Sequence, residues 1–368
     1  MNEKVIIFGA GKRLENLMDF MYGCNSYDII EIWDNNEEKI GKIYNFKGRQ
    51  LIIKRPHFQK EYNIIVSTNI HYEEIKAQLI NKIGIPKNLI KTNSYANNKL
   101  KYEILNRYSG SKDKEIINIC NYLKNNELDV FCGQINNEYP MHLFDIFKDS
   151  ENGLLYSYWK GKKIYLSSKF KDENAAKIYL CSLSKEQDSQ SPHCYNINEL
   201  DIDNTDLVID GGAAEGFFAL EIVDKVEKVY LLECDIDWIE ALRCTFKPYE
   251  DKVCIIPKFL DEFDSDEDVS LDTLVFKEKQ LSKVLIKLDI EGKETDVIKG
   301  TKKLMQSDID MTCIVCTYHK SNDAKIIYDF FDKNGFSNKF TNGYMFFPYS
   351  NDIKPELRKG VLTARRKG

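Results

Sequence analysis

The sequence predicts an α/β protein built from two Rossmann-like domains, each a parallel sheet with helices on both faces. Three observations lead there. Apolar runs of strand length alternate with helical patterns in two separate stretches, the mark of strand–helix–strand units. Each stretch opens on an apolar run that ends in glycine-rich residues and then starts a helix, "VIIFGAGKRL" from Val5 and "VIDGGAAEGF" from Val208. A chain of 368 residues also exceeds what one ordinary core organises, so two domains are expected.

The first domain is expected over residues 1–95. It opens with "KVIIFGAGKRLENLMDFM" and continues with "DIIEIWDNN" and "NIIVSTNIHYEEIKAQLI". Each apolar run gives way to polar or glycine-rich residues before a helical pattern begins. The stretch "TNSYANNKL" then turns polar and marks a boundary.

Residues 96–200 read as a bridging region that packs on the second domain. "KEIINICNYLKNN" is an amphipathic helix, "LLYSYWKGKKIYLSS" a hairpin turning at Lys160-Gly161, and "DENAAKIYLCSLSKEQ" a further helix. From 201 to 368 the alternation returns. "DLVIDGG", "KVYLLECD", "KVCIIPKF", "KVLIKLD" and "MTCIVCTYH" are five strands, and a helix is expected from about Gly292 to Met305. "FSNKFTNGYMFFPY" places Asn342-Gly343 between two strand-like runs, a strong hairpin signal, so the sheet is expected to close with a C-terminal antiparallel hairpin.

The totals exclude several classes. The chain is 43% hydrophobic and 30% charged, with net charge −6 and a pI of about 5.6. An extended nucleic-acid track needs a basic field, and the basic tail "RKGVLTARRKG" is too short to supply one. No apolar run reaches the roughly 18–20 residues of a membrane span. The N-terminus runs straight into a strand without a signal-peptide layout, so a cytoplasmic location is expected. The ten cysteines lie mostly in apolar segments. Cys313 and Cys316 are spaced to fall on opposite faces of a strand, which suits neither zinc nor redox chemistry and points to reduced, buried thiols.

The loop after Val208 reads as a cofactor cradle. Gly211, Gly212 and Gly216 permit a sharp turn and close approach at the carboxyl end of a first strand. The second strand ends in "LLECD", where an acid can accept from both hydroxyls of a ribose. Dinucleotide loops bring a helix N-terminus to pyrophosphate through G-x-G-x-x-G. Here the order is D-G-G-A-A-E-G, and the acids Asp210 and Glu215 would repel pyrophosphate but attract a cation. S-adenosylmethionine, with its sulfonium, ammonium and ribose, is therefore the expected cofactor, in preference to NAD.

These stretches, with "EQDSQSPHCY", "SLDTLV", "VLIKLDIEGKETDVIKGTKKL", "CTYHKSNDA", "NGYMFF" and "LRKGVLTARRK", resemble FkbM-type methyltransferases over residues 150–365 or so. The resemblance implies the class I S-adenosylmethionine-dependent fold and O-methylation of sugars or other secondary-metabolite hydroxyls. Carried across, Asp210, Gly211, Gly212, Ala213, Glu215 and Gly216 form the cofactor loop. Glu233 is the ribose acid; Asp235 is a rival but lies further past the strand end. Phe259 and Asp261 are expected near the adenine. "LDIEGKE" departs from the family's D-V/I-E-G-A-E at Lys293, which is expected on a helix surface with little consequence.

Methyl transfer to a hydroxyl is an in-line displacement that needs alignment and help in removing a proton. Asp289 and Glu291 end the fourth strand at the cofactor edge. If the loop stays extended there, both carboxylates face one way and act as base and orienter, or hold a divalent cation. The metal-free version is preferred. The bland alternative is that Glu291 and Glu294 favour the N-terminus of the next helix. His319 arrives at the same edge and titrates near neutrality. Gln187, Ser191 and His193 are expected as a lid, and Lys320 as a candidate for pairing with substrate charge.

In the first domain, "FGAGKRLE" lacks the third glycine of a dinucleotide loop, while Asp34 sits where a ribose acid would. Nucleotide or nucleotide-sugar binding, a docking module and a sheet without ligand are the readings there. The function expected for the whole is O-methylation of a small-molecule or glycan acceptor, in surface-polysaccharide or glycoconjugate synthesis. The rivals are a protein that binds S-adenosylmethionine without turnover and a nucleotide-sugar binder. A third, an NAD-dependent sugar-nucleotide enzyme, lacks a Tyr-x-x-x-Lys pair beside the first sheet. The oligomeric state is left open.

Overall fold

A computed structural model describes residues 2–133, 135, 143–349 and 351–368. The chain forms two compact units, one of residues 1–130 with 346–357, the other of residues 131–345 with 358–368. The first unit runs on past the expected boundary at 95, to 130, and the chain comes back to it over 346–357.

The first unit begins with β1 (Glu3–Phe8), α1 (Leu14–Gly23) and β2 (Tyr27–Trp33). A hairpin follows, β3 (Ile43–Phe46) and β4 (Arg49–Lys54), then β5 (Asn63–Val66), α2 (Tyr72–Gln78) and β6 (Ile90–Thr92). The sheet order is β3-β4-β2-β1-β5-β6, parallel except for β3. β1 is central, and Val5 to Phe8 are all buried, which is why it reads as an unbroken apolar run. The hairpin turns on Lys47 and Gly48, both left-handed (φ +47° and +78°), as a tight two-residue turn requires. α3 (Tyr95–Arg107) and α4 (Lys114–Leu123) complete the unit. α3 buries Ala96, Leu100 and Ile104, and its Tyr95 and Lys99 both reach Glu3 at the start of β1. Those ties make α3 part of the first unit rather than of a bridging region.

The second unit opens with a small sheet, β7 (Phe147–Lys148), β8 (Leu155–Trp159) and β9 (Lys162–Tyr165), followed by α5 (Glu173–Glu186). The β8–β9 turn falls at Lys160-Gly161 as expected, again with both residues left-handed. The main elements are β10 (Leu207–Gly211), α6 (Phe217–Ile222), β11 (Val229–Leu232), α7 (Ile236–Phe246) and β12 (Val253–Ile256). A two-stranded sheet of β13 (Phe259–Leu260) and β14 (Asp268–Val269) leads to α8 (Leu271–Phe276) and β15 (Lys283–Leu288). α9 (Glu294–Lys299), α10 (Lys302–Met305), β16 (Asp310–Cys316), α11 (Asp323–Lys333), β17 (Ser337–Phe340) and β18 (Val361–Arg366) finish the chain. The expected single helix from Gly292 to Met305 is thus two. Its break falls at Gly300, where a Cβ would lie 2.6 Å from the Glu262 carbonyl.

The seven-stranded sheet runs β12-β11-β10-β15-β16-β18-β17. The first five strands are parallel, and β18 is antiparallel to both β16 and β17. The antiparallel closure is present, but the partner of β17 is residues 361–366, not 344–348. The basic tail is therefore an inner strand, with Val361, Leu362 and Ala364 fully buried. β10, β15 and β16 lie side by side, so their carboxyl ends share one edge. The ten cysteines form no disulfide; Cys313 and Cys316 are buried as expected, whereas Cys254 on β12 is exposed.

Candidate active site

The loop after β10 is shaped by close packing of the chain on itself. Gly212 is left-handed (φ +71°), and a Cβ there would fall 1.9 Å from the Asp289 carbonyl. Gly216 (φ +80°) is pressed by Leu242 and Phe246 at 2.7 Å. Gly211 is the last residue of β10, and Ala213 is buried with its amide on the Leu232 carbonyl. The small residues thus let β10, β15 and α7 converge, and the loop backs a cavity of about 630 Å³ at the sheet edge.

The two loop acids do not line that cavity, which corrects the sequence reading of their role. Asp210 is fully buried beneath the loop, 3.0 Å from the Lys287 ammonium. Lys287 also donates to the carbonyls of Gly211 (3.2 Å) and Gly212 (2.7 Å), so one buried lysine ties the loop to β15. Glu215 is buried against the Tyr179 hydroxyl, and burial pushes its carboxyl up to about 7. The acids that line the cavity are Glu233, Asp235, Asp261, Asp268, Asp289 and Glu291, against Lys258 and Lys293. A cavity with this excess of carboxylates suits a cationic cofactor and disfavours pyrophosphate, so the donor set fits S-adenosylmethionine.

Glu233 stands at the tip of β11. Its carboxylate accepts from the amides of Ala214 (2.9 Å), Cys234 (2.8 Å) and Asp235 (2.8 Å), which fix it at the cavity wall. Remaining lone pairs can accept ribose hydroxyls. Asp235, the rival, caps α7 through Asp237 and is paired with Lys169. Phe259 is 55% exposed and lines the cavity, as does Asp261. Asp261 is held 2.9 Å from Lys293, chiefly by which its carboxyl lies below its ordinary range. Lys293 is therefore part of the cavity wall, not a helix-surface residue without consequence.

The tips of β15 and β16 carry a second, more enclosed cluster. Asp289 follows β15, its amide on the Gly211 carbonyl. One carboxylate oxygen accepts from Tyr195 (2.7 Å) and the other from Tyr318 (3.2 Å). His193 lies 2.9 Å from that Tyr318 hydroxyl. Burial alone would raise the Asp289 pKa, yet His193, Lys287, His319 and the Tyr195 hydroxyl hold it far below the carboxylate range. His319, 6% exposed, places Nδ1 2.9 Å from Glu294 and Nε2 3.5 Å from Asp289 and 3.7 Å from Glu291. Burial would lower its pKa, but Glu294, Asp289 and Glu291 together keep it above the ordinary value. His193 is lowered instead, by its burial.

The expected pairing of Asp289 with Glu291 is not made. Glu291 and Gly292 are both left-handed (φ +54° and +92°), so the loop turns instead of staying extended. The Glu291 side chain is 88% exposed while Asp289 is turned inward onto the tyrosines. The pair as found is not a two-carboxylate cation site. Gln187, Ser191 and His193, expected as a lid, are not among the residues that line the cavity. Ser191 and His193 are buried, and Gln187 accepts from the Tyr195 amide. The Pro192 carbonyl receives the Thr341 hydroxyl. Lys320 is exposed and its amide donates to Asp323, with its stem beside Gly292.

Four functional candidates escape the sequence reading: Lys287, Tyr195, Tyr318 and Glu294. Lys287 carried a usable signal, since a lysine inside the apolar run "VLIKL" must find a buried anion. Glu294 was read as a helix-end charge, yet it is fully buried. Tyr195 and Tyr318 reach Asp289 from segments far apart in the chain, and no local pattern announces that.

Five parallel strands in the order β12-β11-β10-β15-β16, closed by the antiparallel β18-β17 pair, form the sheet of the class I methyltransferase fold. Among solved structures the chain is similar to the methyltransferase FkbM from Methylobacillus flagellatus KT, with TM-score 0.43 and 11% identity over 98% of this chain and 89% of that one. It is also similar to magnesium protoporphyrin IX methyltransferase from Synechocystis PCC 6803 with bound S-adenosylmethionine (TM-score 0.33, 14% identity, 53% and 86% covered). A third is precorrin-6y C5,15-methyltransferase from Geobacter metallireducens GS-15 (0.31, 12%, 46% and 85%). Residues 1–91 match the family described as C2185-like, N-terminal. None of the curated proteins matches the chain.

Proposed function

We propose that the chain is an S-adenosylmethionine-dependent O-methyltransferase whose acceptor is a hydroxyl of a sugar or glycan. The observation that supports this most is the meeting, at one sheet edge, of an acid-rich cavity anchored by Glu233 with the buried Asp289–His319–Glu294 cluster. When bound, S-adenosylmethionine supplies an electrophilic methyl group; the carbon–sulfur bond breaks as the acceptor oxygen forms its bond to carbon. Glu233 would hold the ribose, and Leu232, Phe259 and Asp261 the adenine end of the cavity.

The acceptor proton needs a destination. His319 is the base in this reading. Glu294 grips Nδ1 and leaves Nε2 toward Asp289 and Glu291, two residues of the cavity wall, and the Asp289 anion would stabilise the imidazolium that forms. Asp289 itself is a poor base, since four neighbours favour its ionised form. No cation is called on, because the phenols occupy Asp289 and Glu291 turns outward. The sugar or glycan acceptor rests on the resemblance to FkbM-type sequences, and with it the context of surface-polysaccharide or glycoconjugate synthesis.

The test is a mass-spectrometric screen of nucleotide sugars and glycans, incubated with the protein and S-adenosylmethionine. A methyl-sized gain that disappears in His319→Ala is expected. Tight cofactor binding without any methylated product from sugars, other metabolites or nucleic acid would instead identify a binding protein without turnover.

A further inference from the structure

A second cavity, of about 510 Å³, opens in the first unit at the carboxyl ends of β1, β2 and β5. β1 and β5 are neighbours in the sheet, and β1 leads through α1 to β2 on one side while β5 leads through α2 to β6 on the other, so their connections run in opposite directions. That reversal opens a crevice above the strand ends, the usual place for a ligand in an open α/β sheet.

The crevice is not built for a dinucleotide. The acid at the end of β2, Asp34, is spent on the protein itself. Its carboxylate accepts from the Ala10 amide (2.7 Å), the Asn36 amide (2.8 Å) and the Lys39 ammonium (3.2 Å), and only 8% of the residue is exposed. Its charge is offset by Lys39, so it does not stand as an open acid for a ribose. The place of the third glycine is taken by Leu14, which is buried in the core.

What the crevice does present is open space and an excess of positive charge, three cations against Glu74 and the already paired Asp34. Lys12 and Arg13 line it, both exposed. Among the described residues their side chains make no hydrogen bond or ion pair. Lys39 adds a third cation at the rim of the same cavity. Gly9 and Gly11 differ in an instructive way. Gly9 is required by the fold, being left-handed (φ +110°) with Ser67 Oγ 2.4 Å from where a Cβ would stand. Gly11 is not left-handed, and a Cβ there meets nothing within 4 Å. Neither strain nor packing within the chain asks for a glycine at 11; its bareness leaves the cavity floor open between the two free cations. On the far side stand the uncharged amides of Asn35 and Gln78, which bond each other (2.8 and 2.9 Å) and each keep one N–H and one lone pair for a ligand, and the apolar Ile75. That side gives the cavity room and chemistry beyond what a diphosphate alone needs.

We propose that this crevice binds a nucleoside diphosphate, with the diphosphate over Gly11 between Lys12, Arg13 and Lys39 and the nucleoside toward Asn35, Gln78 and Ile75. Planar guanidinium and flexible ammonium groups together suit adjoining phosphates. Asp34, by fixing Lys39, takes a positioning role.

The experiment is calorimetry on the full chain with UDP, ADP and inorganic pyrophosphate as probes, and with S-adenosylmethionine as a separate ligand. At least one nucleoside diphosphate should bind, more tightly than pyrophosphate and more weakly as salt is raised. Lys12→Ala combined with Arg13→Ala should weaken it at least tenfold. Gly11→Leu should do the same by filling the floor, with an unchanged thermal midpoint. S-adenosylmethionine affinity should stay the same in every variant. The proposal is overturned if neither nucleotide binds, if the variants bind as the parent does, or if pyrophosphate binds as tightly as both nucleotides. A parent chain that binds UDP or ADP but not S-adenosylmethionine would sink the methyl-transfer reading and leave this site standing.

Discussion

Replacing Lys287 with methionine tests whether the glycine loop is held from below. The lysine is 3% exposed and its partner Asp210 fully buried, so the substitution strands a carboxylate with no access to water. Removing one member of such a pair costs about 3–5 kcal/mol. The Gly211 and Gly212 carbonyls lose their donor as well. For a unit of this size each kcal/mol moves the thermal midpoint by roughly 2–4 °C, so the second unit should melt about 6–20 °C lower. The sign with pH follows from the aspartate. Burial already raises the Asp210 pKa against the pull of Lys287, and without the lysine it rises further. A group whose folded pKa exceeds its unfolded one favours folding at low pH and loses that contribution as pH rises through the folded value. The deficit of Lys287→Met should therefore be larger at pH 8 than at pH 5. Adding Asp210→Asn removes the stranded charge and should recover much of the loss. The assay is differential scanning calorimetry of the unliganded chain at the two pH values. A single variant within about 1 kcal/mol of the parent, or a double variant no better than the single, would refute the reasoning.

Other outcomes follow from the site. Glu233→Ala should weaken S-adenosylmethionine by about 1.5–3 kcal/mol, as for lost hydrogen bonds to a charged group, and unchanged affinity by calorimetry would remove Glu233 from the cofactor site. His319→Ala should cut turnover by roughly a hundredfold to ten-thousandfold while cofactor affinity hardly moves, and full activity would exclude it as the base. Because Glu294, Asp289 and Glu291 keep the His319 pKa above its ordinary value against burial, and the ring must be neutral to take a proton, turnover should rise with pH through a midpoint above that of a free imidazole; a profile flat from pH 6 to 9 contradicts this. Glu294→Gln should lower that midpoint, since a neutral amide no longer supports the imidazolium. Chelator should leave turnover unaltered, and loss restored by magnesium would return Asp289 and Glu291 to the role of cation ligands.

How much could be read from the chain alone depended on how local the cause was. Strand ends with glycines and acids are local, and the loop from Asp210 to Gly216, Glu233, Asp289 and His319 were all placed at one edge by pattern alone. What the acids do there was not legible. Asp210 and Glu215 look like ligands in sequence because nothing nearby shows Lys287 and Tyr179 waiting beneath them. Asp289 and Glu291 look like a pair because alternation assumes an extended loop, and two left-handed residues break that assumption. The β3–β4 hairpin shows the limit of turn signals. Its Lys47-Gly48 is the same dipeptide as Lys160-Gly161, but the apolar runs beside it, Ile43–Phe46 and 51–53, are only three or four residues long. β18 was taken for a basic tail because Arg365 and Arg366 dominate its composition. Arg366 in fact lies along the end of α10, donating to the carbonyls of Leu304, Met305 and Ser307.

The position of β18 sets an order of assembly. β17 has no partner in the sheet except β18, and β18 lies between β17 and β16. About twenty residues separate the two antiparallel strands, and in between the chain visits the first unit. On a ribosome adding about 5–20 residues per second, β17 waits roughly one to four seconds for its neighbour. Throughout that interval one whole side of β16, "DMTCIVC", is an unpaired and strongly apolar edge, the kind that recruits other chains. Nascent molecules are therefore most prone to associate at this stage of synthesis. Substitutions in β18 should show first as poor soluble yield, before any loss of activity in the molecules that do fold.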